Sequence, residues 1–281
     1  MRDYSIVTEL PGDQITAEAM RMLRTRYAVA RNLSAGKDVL ELACGPGLGA
    51  SYLAGSARRA VAGDCNLEQL RSASELMGRK LRLVCLDAHR LPFREGSFDL
   101  VILFEALYYL GNPRGFLREC LRVMKSDGRL LLCLANPAWP GFNPSPLSTK
   151  YFSAADLSEL LATCGFVPEV YGAFPSRPTT VAQRARDQIR RMAVRGGLIP
   201  ATLRQKAKLK RIFYGRLKTI GRELVDNEKD IESLVRISTQ QNSSQYRILY
   251  AIGCPVSGKT GSGEMYSKVV ERRSEISGVG N

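Results

Sequence analysis

Three acidic residues recur at a fixed interval in the first third of the chain. Glu41, Asp64 and Asp87 lie 23 residues apart, each at or near the end of a short apolar run. The runs span Lys37 to Ala43, Arg59 to Asp64 and Leu81 to Asp87, and the second and third are separated by a helix-like segment, Asn66 to Met77. Strands that read as continuous apolar runs and alternate with helices build a parallel sheet covered on both faces. Acids at successive strand ends of such a sheet face one crevice, and that crevice is where open α/β sheets bind ligands.

The alternation continues downstream. Phe98 to Leu110 starts as a fourth strand and turns into a loop or short helix, Asn112 to Lys125 is a helix with an early proline, and Asp127 to Asn136 is a fifth strand. A helix is expected at Ala154 to Cys164, a strand at Phe166 to Ala173 and a last strand at Tyr246 to Ile252. An arginine-rich helix, Ile15 to Leu33, precedes the sheet.

Composition narrows the class. A chain of 281 residues with 44% hydrophobic residues has enough material for one large core. No apolar run reaches the roughly 18 residues of a membrane span, and the N-terminus lacks the apolar core of a secretion signal. Seven cysteines are scattered with no C-x-x-C pair, and His89 is the sole histidine. That pattern argues against a metal site or a disulfide framework and suits a reducing cytoplasm. The net charge of +14 is local: Arg177 to Arg222 holds 14 Lys or Arg against one acid, Asp187. This basic segment is expected to form two or three amphipathic helices.

Two glycine loops compete for a ligand. "GCPVSGKT", Gly253 to Thr260, fits the phosphate-loop pattern G-x-x-x-x-G-K-[ST]. Its preceding strand is already the closing strand of the sheet, and only 21 residues follow Thr260. No ATP or GTP site is therefore expected at residues 253–260. "ELACGPGLG", Glu41 to Gly49, is looser as a pattern but stands in register with the three acids. Its glycines let the backbone approach a ligand at a helix N-terminus. Asp64 is placed to accept the ribose hydroxyls of a nucleoside, and Asp87 to accept from an adenine amino group.

These pieces resemble the Rossmann-like (class I) S-adenosylmethionine-dependent methyltransferases. The matching stretches are "VLELACGPGLG", "AVAGD", "LRLVCLDAHRLPF", "SFDLVILFEALYYL" and "FLRECLRVMKSDGRLLLCLANP", in order from Lys37 to Pro137. Ala43 departs from the usual glycine. The resemblance implies a seven-stranded, mostly parallel sheet with an antiparallel last strand. It implies S-adenosyl-L-methionine as cofactor, with Glu41, Ala43, Gly45 and Gly47 at the methionine part. Asp64 and Cys65 would sit at the ribose, Asp87 and Ala88 at the adenine, and Phe104 and Glu105 by the reactive methyl. A further resemblance, carried by "YSIVTELPGD", "FNPSPLSTKYFS", "GLIP" and "YRILYAIG", is to bacterial methyltransferases of polysaccharide biosynthesis. The implied organisation is an N-terminal helical segment (1–36), a methyltransferase core (37–174), a basic helical insert (175–240), a closing strand (245–253) and a disordered tail (256–281).

Methyl transfer needs donor and acceptor held in line, and a hydroxyl acceptor gains from a general base. Glu105, Tyr108 and Tyr109 are the candidates. His89 is better read as part of the adenine-side loop. Trp139 and the loop Phe142 to Phe152 are candidates to line the acceptor pocket. The insert reads as a surface for anionic lipid headgroups, for a phosphate-bearing acceptor or for RNA. The place after strand four reads "FEALYY" and lacks the N-P-P-Y-like tetrapeptide of nucleic-acid amino methyltransferases. Nucleic acid therefore ranks below a small-molecule or glycan acceptor. The expectation is O-methylation of a sugar or glycan intermediate in the cytoplasm, with peripheral contact at the inner membrane surface. The rivals are an RNA methyltransferase and a binding protein that keeps the fold without activity.

Overall fold

A computed structural model describes residues 8–77, 82–176, 188–189, 192, 217–225, 227, 230–238 and 243–256. The elements are β1 (Gln14–Ile15), α1 (Ala17–Ser34), β2 (Asp38–Leu42), α2 (Leu48–Ala54), β3 (Arg59–Asp64), α3 (Leu67–Met77) and β4 (Arg82–Cys85). They continue with β5 (Phe98–Phe104), α4 (Pro113–Val123), β6 (Met124–Ala135), α5 (Ala154–Thr163) and β7 (Phe166–Pro175). The last are β8 (Lys218–Thr219), β9 (Val235–Arg236) and β10 (Tyr246–Pro255).

Helix boundaries follow local chemistry. Thr16 caps α1 by accepting from the Ala19 amide, and Glu18 sits in the first turn. Asn112 caps α4 ahead of Pro113 at its first position. Ser153 and Asp156 form a reciprocal capping box at α5.

The main sheet runs β4-β3-β2-β5-β6-β10-β7-β9. The pairs from β4 to β6 are parallel. β10 is antiparallel to both β6 and β7. This is the expected mostly parallel Rossmann-like sheet with an antiparallel last strand, and the two-residue β9 adds an eighth strand at the β7 edge. Successive residues of each strand face opposite sides, so the core has two layers. Val39, Leu100, Ile102 and Tyr250 pack with α1, α2 and α3. Leu40, Val101, Leu103 and Leu249 pack with α4 and α5. Helix α1 thus belongs to the core of the sheet rather than to a segment beside it.

The chain at and after the C-terminal end of the basic segment is fastened to β1 and α1. β8 pairs with β1, Thr25 accepts from the Glu232 amide at 3.0 Å, and Arg21 and Arg24 pair with Glu232 and Asp230. The helices expected from Arg177 to Arg222 fall mostly outside the described residues, as does the tail from 257 onward; Gln188, Ile189 and Met192 are helical. Gly253, Cys254 and Pro255 lie in β10, paired with Phe166 to Pro168.

Candidate active site

A cavity of about 980 Å³ opens beyond the carboxyl ends of β2, β3, β4 and β5, with α1 as its outer wall. Ala43, Gly45, Asp64, Cys65, Asp87, Ala88, Phe104, Glu105, Tyr108 and Tyr109 all line it. Glu41 and Gly47 do not. Glu41 is 3% exposed and lies behind the loop, where the Tyr27 hydroxyl donates to its Oε1 at 2.7 Å. Gly47 takes a left-handed φ of 75° as the N-cap of α2, between the lining residues Pro46 and Leu48.

The glycine loop is held by an acid. Asp64 Oδ2 accepts from the Gly45 amide at 2.9 Å, and its Oδ1 accepts from the Asn66 amide at 2.8 Å. A carboxylate has about four acceptor positions, so this arrangement leaves capacity for ligand hydroxyls. Ala43 has a φ of 54°, the left-handed region that explains why glycine is usual there.

Asp87 does not end the third strand as expected. β4 stops at Cys85, and Asp87 begins a turn closed by the Arg90 amide at 2.9 Å. Its Oδ1 accepts from the His89 amide and faces His89 Nδ1 at 2.8 Å. The His89 amide holds the Asp87 carboxyl below its ordinary range. His89 therefore sits beside Asp87 in the cavity wall.

Glu105 follows β5 with a φ of 51°, a conformation that costs a non-glycine residue about 1–3 kcal/mol and recurs at functional sites. Its Oε2 accepts from the Tyr108 hydroxyl at 2.9 Å. Arg26 stands 3.9 Å from its Oε1 and is held by Glu9 at 2.6 Å. Burial pushes the Glu105 carboxyl up, and Arg26 acts against that. Burial also raises both tyrosines, Tyr109 to about 12. Near neutral pH their phenols stay protonated, which leaves Glu105 as the proton acceptor of the three. Tyr108 stacks on Tyr151 with centroids 4.4 Å apart, and Tyr109 donates to Ser145 Oγ.

The proline-rich loop reaches the cavity through Thr149, whose hydroxyl donates to the Tyr108 carbonyl at 3.0 Å. Trp139 is not part of the lining; its ring lies under Arg247, with the guanidinium 4.9 Å from the centroid. The residues that sequence reasoning missed come from the N-terminal part: Glu9, Met22, Leu23, Arg26 and Tyr27, joined by Gln69 of α3. A helix that fills its apolar face with Met, Leu and Tyr carries no sign of which turn meets a ligand.

The residues fit S-adenosylmethionine. Buried Glu41 Oε2, Gln69 Oε1 and His89 Nε2 lack protein partners. Buried polar atoms of this kind call for a ligand or water. The left-handed glycines at 45 and 47 complete a loop of the sort that admits a ligand closely. Among the described residues no cluster of His, Cys, Asp or Glu could hold a metal ion.

Sheet order and cavity together define a Rossmann-like methyltransferase architecture. Residues 40–132 match the model of the family "Methyltransferase domain". A probable S-adenosylmethionine-dependent methyltransferase of Mycolicibacterium smegmatis is 33% identical over 147 residues, 50% of this chain and 56% of that protein. A demethylmenaquinone methyltransferase of Corynebacterium urealyticum is 37% identical over 123 residues, 43% of this chain and 52% of that protein. The chain thus spans about half the length of the curated relatives it matches. Among solved structures, a possible histamine N-methyltransferase of Thermotoga maritima superposes with a TM-score of 0.55 at 14% identity, covering 85% of this chain and 90% of that one. The [4+2]-cyclase SpnF superposes with a TM-score of 0.53 at 18% identity, covering 84% and 81%. Both likenesses concern the fold, and the second shows that the fold does not by itself fix the reaction.

Proposed function

We propose that the protein transfers a methyl group from S-adenosylmethionine to a small-molecule acceptor that enters beside Glu105, Tyr108 and Tyr109. One observation carries this reading: a single cavity joins the loop anchored by Asp64 to the strained Glu105. The bound cofactor supplies an electrophilic methyl. The chain supplies alignment, a wall that excludes water and a proton acceptor at the Glu105 carboxylate. Glu41, Ala43, Gly45 and Gly47 are assigned to the methionine part, Asp64 and Cys65 to the ribose, Asp87 and Ala88 to the adenine.

For the acceptor we favour a hydroxyl of a sugar or glycan intermediate. A carboxylate backed by a tyrosine suits deprotonation of a hydroxyl, and the faces of Tyr108 and Tyr109 suit a ring. A second reading is a quinol-type aromatic acceptor, favoured by the demethylmenaquinone methyltransferases among the relatives. The charge of Arg177 to Arg222 supports peripheral contact with anionic lipid. Among the described residues no helix is long and apolar enough to cross a membrane.

The two acceptors are separated by incubation with labelled S-adenosylmethionine and either hydroxyl-bearing sugars or a demethylated quinol. Glu105→Gln should lower turnover of a hydroxyl acceptor by roughly 10²–10⁴ while S-adenosylhomocysteine still binds. Unchanged turnover in that variant would remove Glu105 as the base.

A further inference from the structure

Tyr27 and Glu41 meet from different elements on one face of the sheet. The Tyr27 hydroxyl donates to Glu41 Oε1 at 2.7 Å. The Tyr27 ring stands edge-on to Phe104, centroids 5.3 Å apart, and covers Gly49 so closely that a Cβ there would lie 1.8 Å from its carbons. Glu41 Oε2 is buried and has no protein partner. Tyr27, Ala43, Cys44 and Gly45 form the adjoining cavity wall. A buried carboxylate with one oxygen satisfied by the protein is short of one donor, and the nearby cavity is where a ligand would bring it.

We propose that Tyr27 is a positioning residue: its hydroxyl fixes one oxygen of Glu41 and leaves the other to accept from the ammonium of the cofactor's amino-acid part. The inference rests on the methyltransferase reading. It also gives the third glycine of the loop a purpose, which is to admit the tyrosine rather than the ligand.

The pairing has a pH signature. Burial pushes the Glu41 carboxyl up to about 7, the Tyr27 hydrogen bond and Arg26 act against that, and Asp64 adds to it. The neighbouring Cys44 thiol is itself pushed up by burial and by Glu41. An ammonium ligand favours the ionised carboxylate. Affinity therefore rises with pH up to the Glu41 midpoint, about tenfold per pH unit below it, and levels off above. Removing the Tyr27 hydroxyl raises the carboxyl further and moves that midpoint upward.

The test is calorimetric titration of the full chain from pH 5.5 to 8.5 with S-adenosylhomocysteine and with methylthioadenosine, which lacks the amino-acid part. For S-adenosylhomocysteine, Tyr27→Phe should move the midpoint up by about one pH unit, weakening binding about tenfold well below pH 7, about fivefold at pH 7 and little at pH 8.5. Glu41→Gln should flatten the dependence, and methylthioadenosine should show none of it. A uniform loss in Tyr27→Phe with an unmoved midpoint, or the same rise with methylthioadenosine, would overturn the inference. Should Tyr27→Phe not fold, the comparison of Glu41→Gln and the two ligands still decides whether Glu41 meets the ammonium. Wild-type protein that binds neither ligand at any pH would instead sink the methyltransferase reading beneath it.

Discussion

A methyl group added at Gly49 would lie 1.8 Å from the ring of Tyr27, whereas one added at Gly55 would meet only the Tyr52 carbonyl at 3.5 Å. Gly55 also has an ordinary helical φ of −71°. The two glycines end and begin the same short helix region but answer to different physics. Gly49→Ala forces the ring out of a packed core and should cost about 1–3 kcal/mol. Gly55→Ala removes freedom from the unfolded chain and should be neutral or stabilising by about 0.4–1 kcal/mol. Denaturant midpoints measure both; equal effects would mean that Tyr27 does not occupy the space over Gly49. At this scale the sequence was partly legible. The acids and glycines announce themselves by spacing, and Asp64, Asp87, Glu105 and Tyr108 do come together around one cavity. Arg26 and Tyr27 do not, because their roles arise from contacts with residues far along the chain. Glu41 Oε1 is reached from Tyr27, 14 residues earlier, on an element separated from it by a turn.

Helix α1 is the element that couples the two ends of the chain to the cavity. One face contributes Met22, Leu23, Arg26 and Tyr27 to the lining. The other is tied down by chain segments more than 200 residues away. Thr25 is fully buried, accepts from the Glu232 amide at 3.0 Å and donates to the Asp230 carbonyl at 3.4 Å. Arg247 of β10 adds an ion pair with Glu18, its Nη1 donating to both carboxylate oxygens at 2.8 and 2.7 Å. Thr25→Val keeps the shape but leaves the half-buried Glu232 amide without its partner. It should cost about 1–3 kcal/mol and weaken S-adenosylhomocysteine binding at the same time. Thermal melts and titration read the two effects. A variant that loses stability with unchanged affinity would show that α1 is fastened independently of the cavity. The boundaries of the elements were read closely from the sequence: β3 is Arg59–Asp64, and α5 ends one residue before the expected Cys164. The edge strand β4 was read too long. It lies at the rim of the sheet, paired on one side only, and its residues are largely half-buried or exposed, so fewer contacts hold Asp87 in an extended form.

For the molecule as a whole, the sheet order decides which glycine loop matters. β10 runs antiparallel between β6 and β7. Its end therefore points away from the carboxyl ends of the parallel strands, where the cavity lies. The first three residues of "GCPVSGKT" are part of that strand and carry ladder pairings, while Ser257 to Thr260 fall outside the described residues. The first loop instead stands over the cavity between β2 and β3, the place where a ligand of this fold class is bound. Continuous apolar strands and alternating helices made that architecture readable from the sequence. The acceptor was not readable, because the cavity end near Glu105 is assembled from the N-terminal part, the β5 end and the loop that carries Thr149, each with its own local reasons for its residues. The most direct measurement is thermal unfolding of the full chain with S-adenosylhomocysteine, Mg-ATP or NAD. A hundredfold excess over Kd stabilises by about 2.7 kcal/mol, which corresponds to a rise of roughly 5 °C or more for a chain of this size. That rise is expected with S-adenosylhomocysteine alone, and its loss in Asp64→Ala. Stabilisation by ATP or NAD with no response to S-adenosylhomocysteine would contradict it.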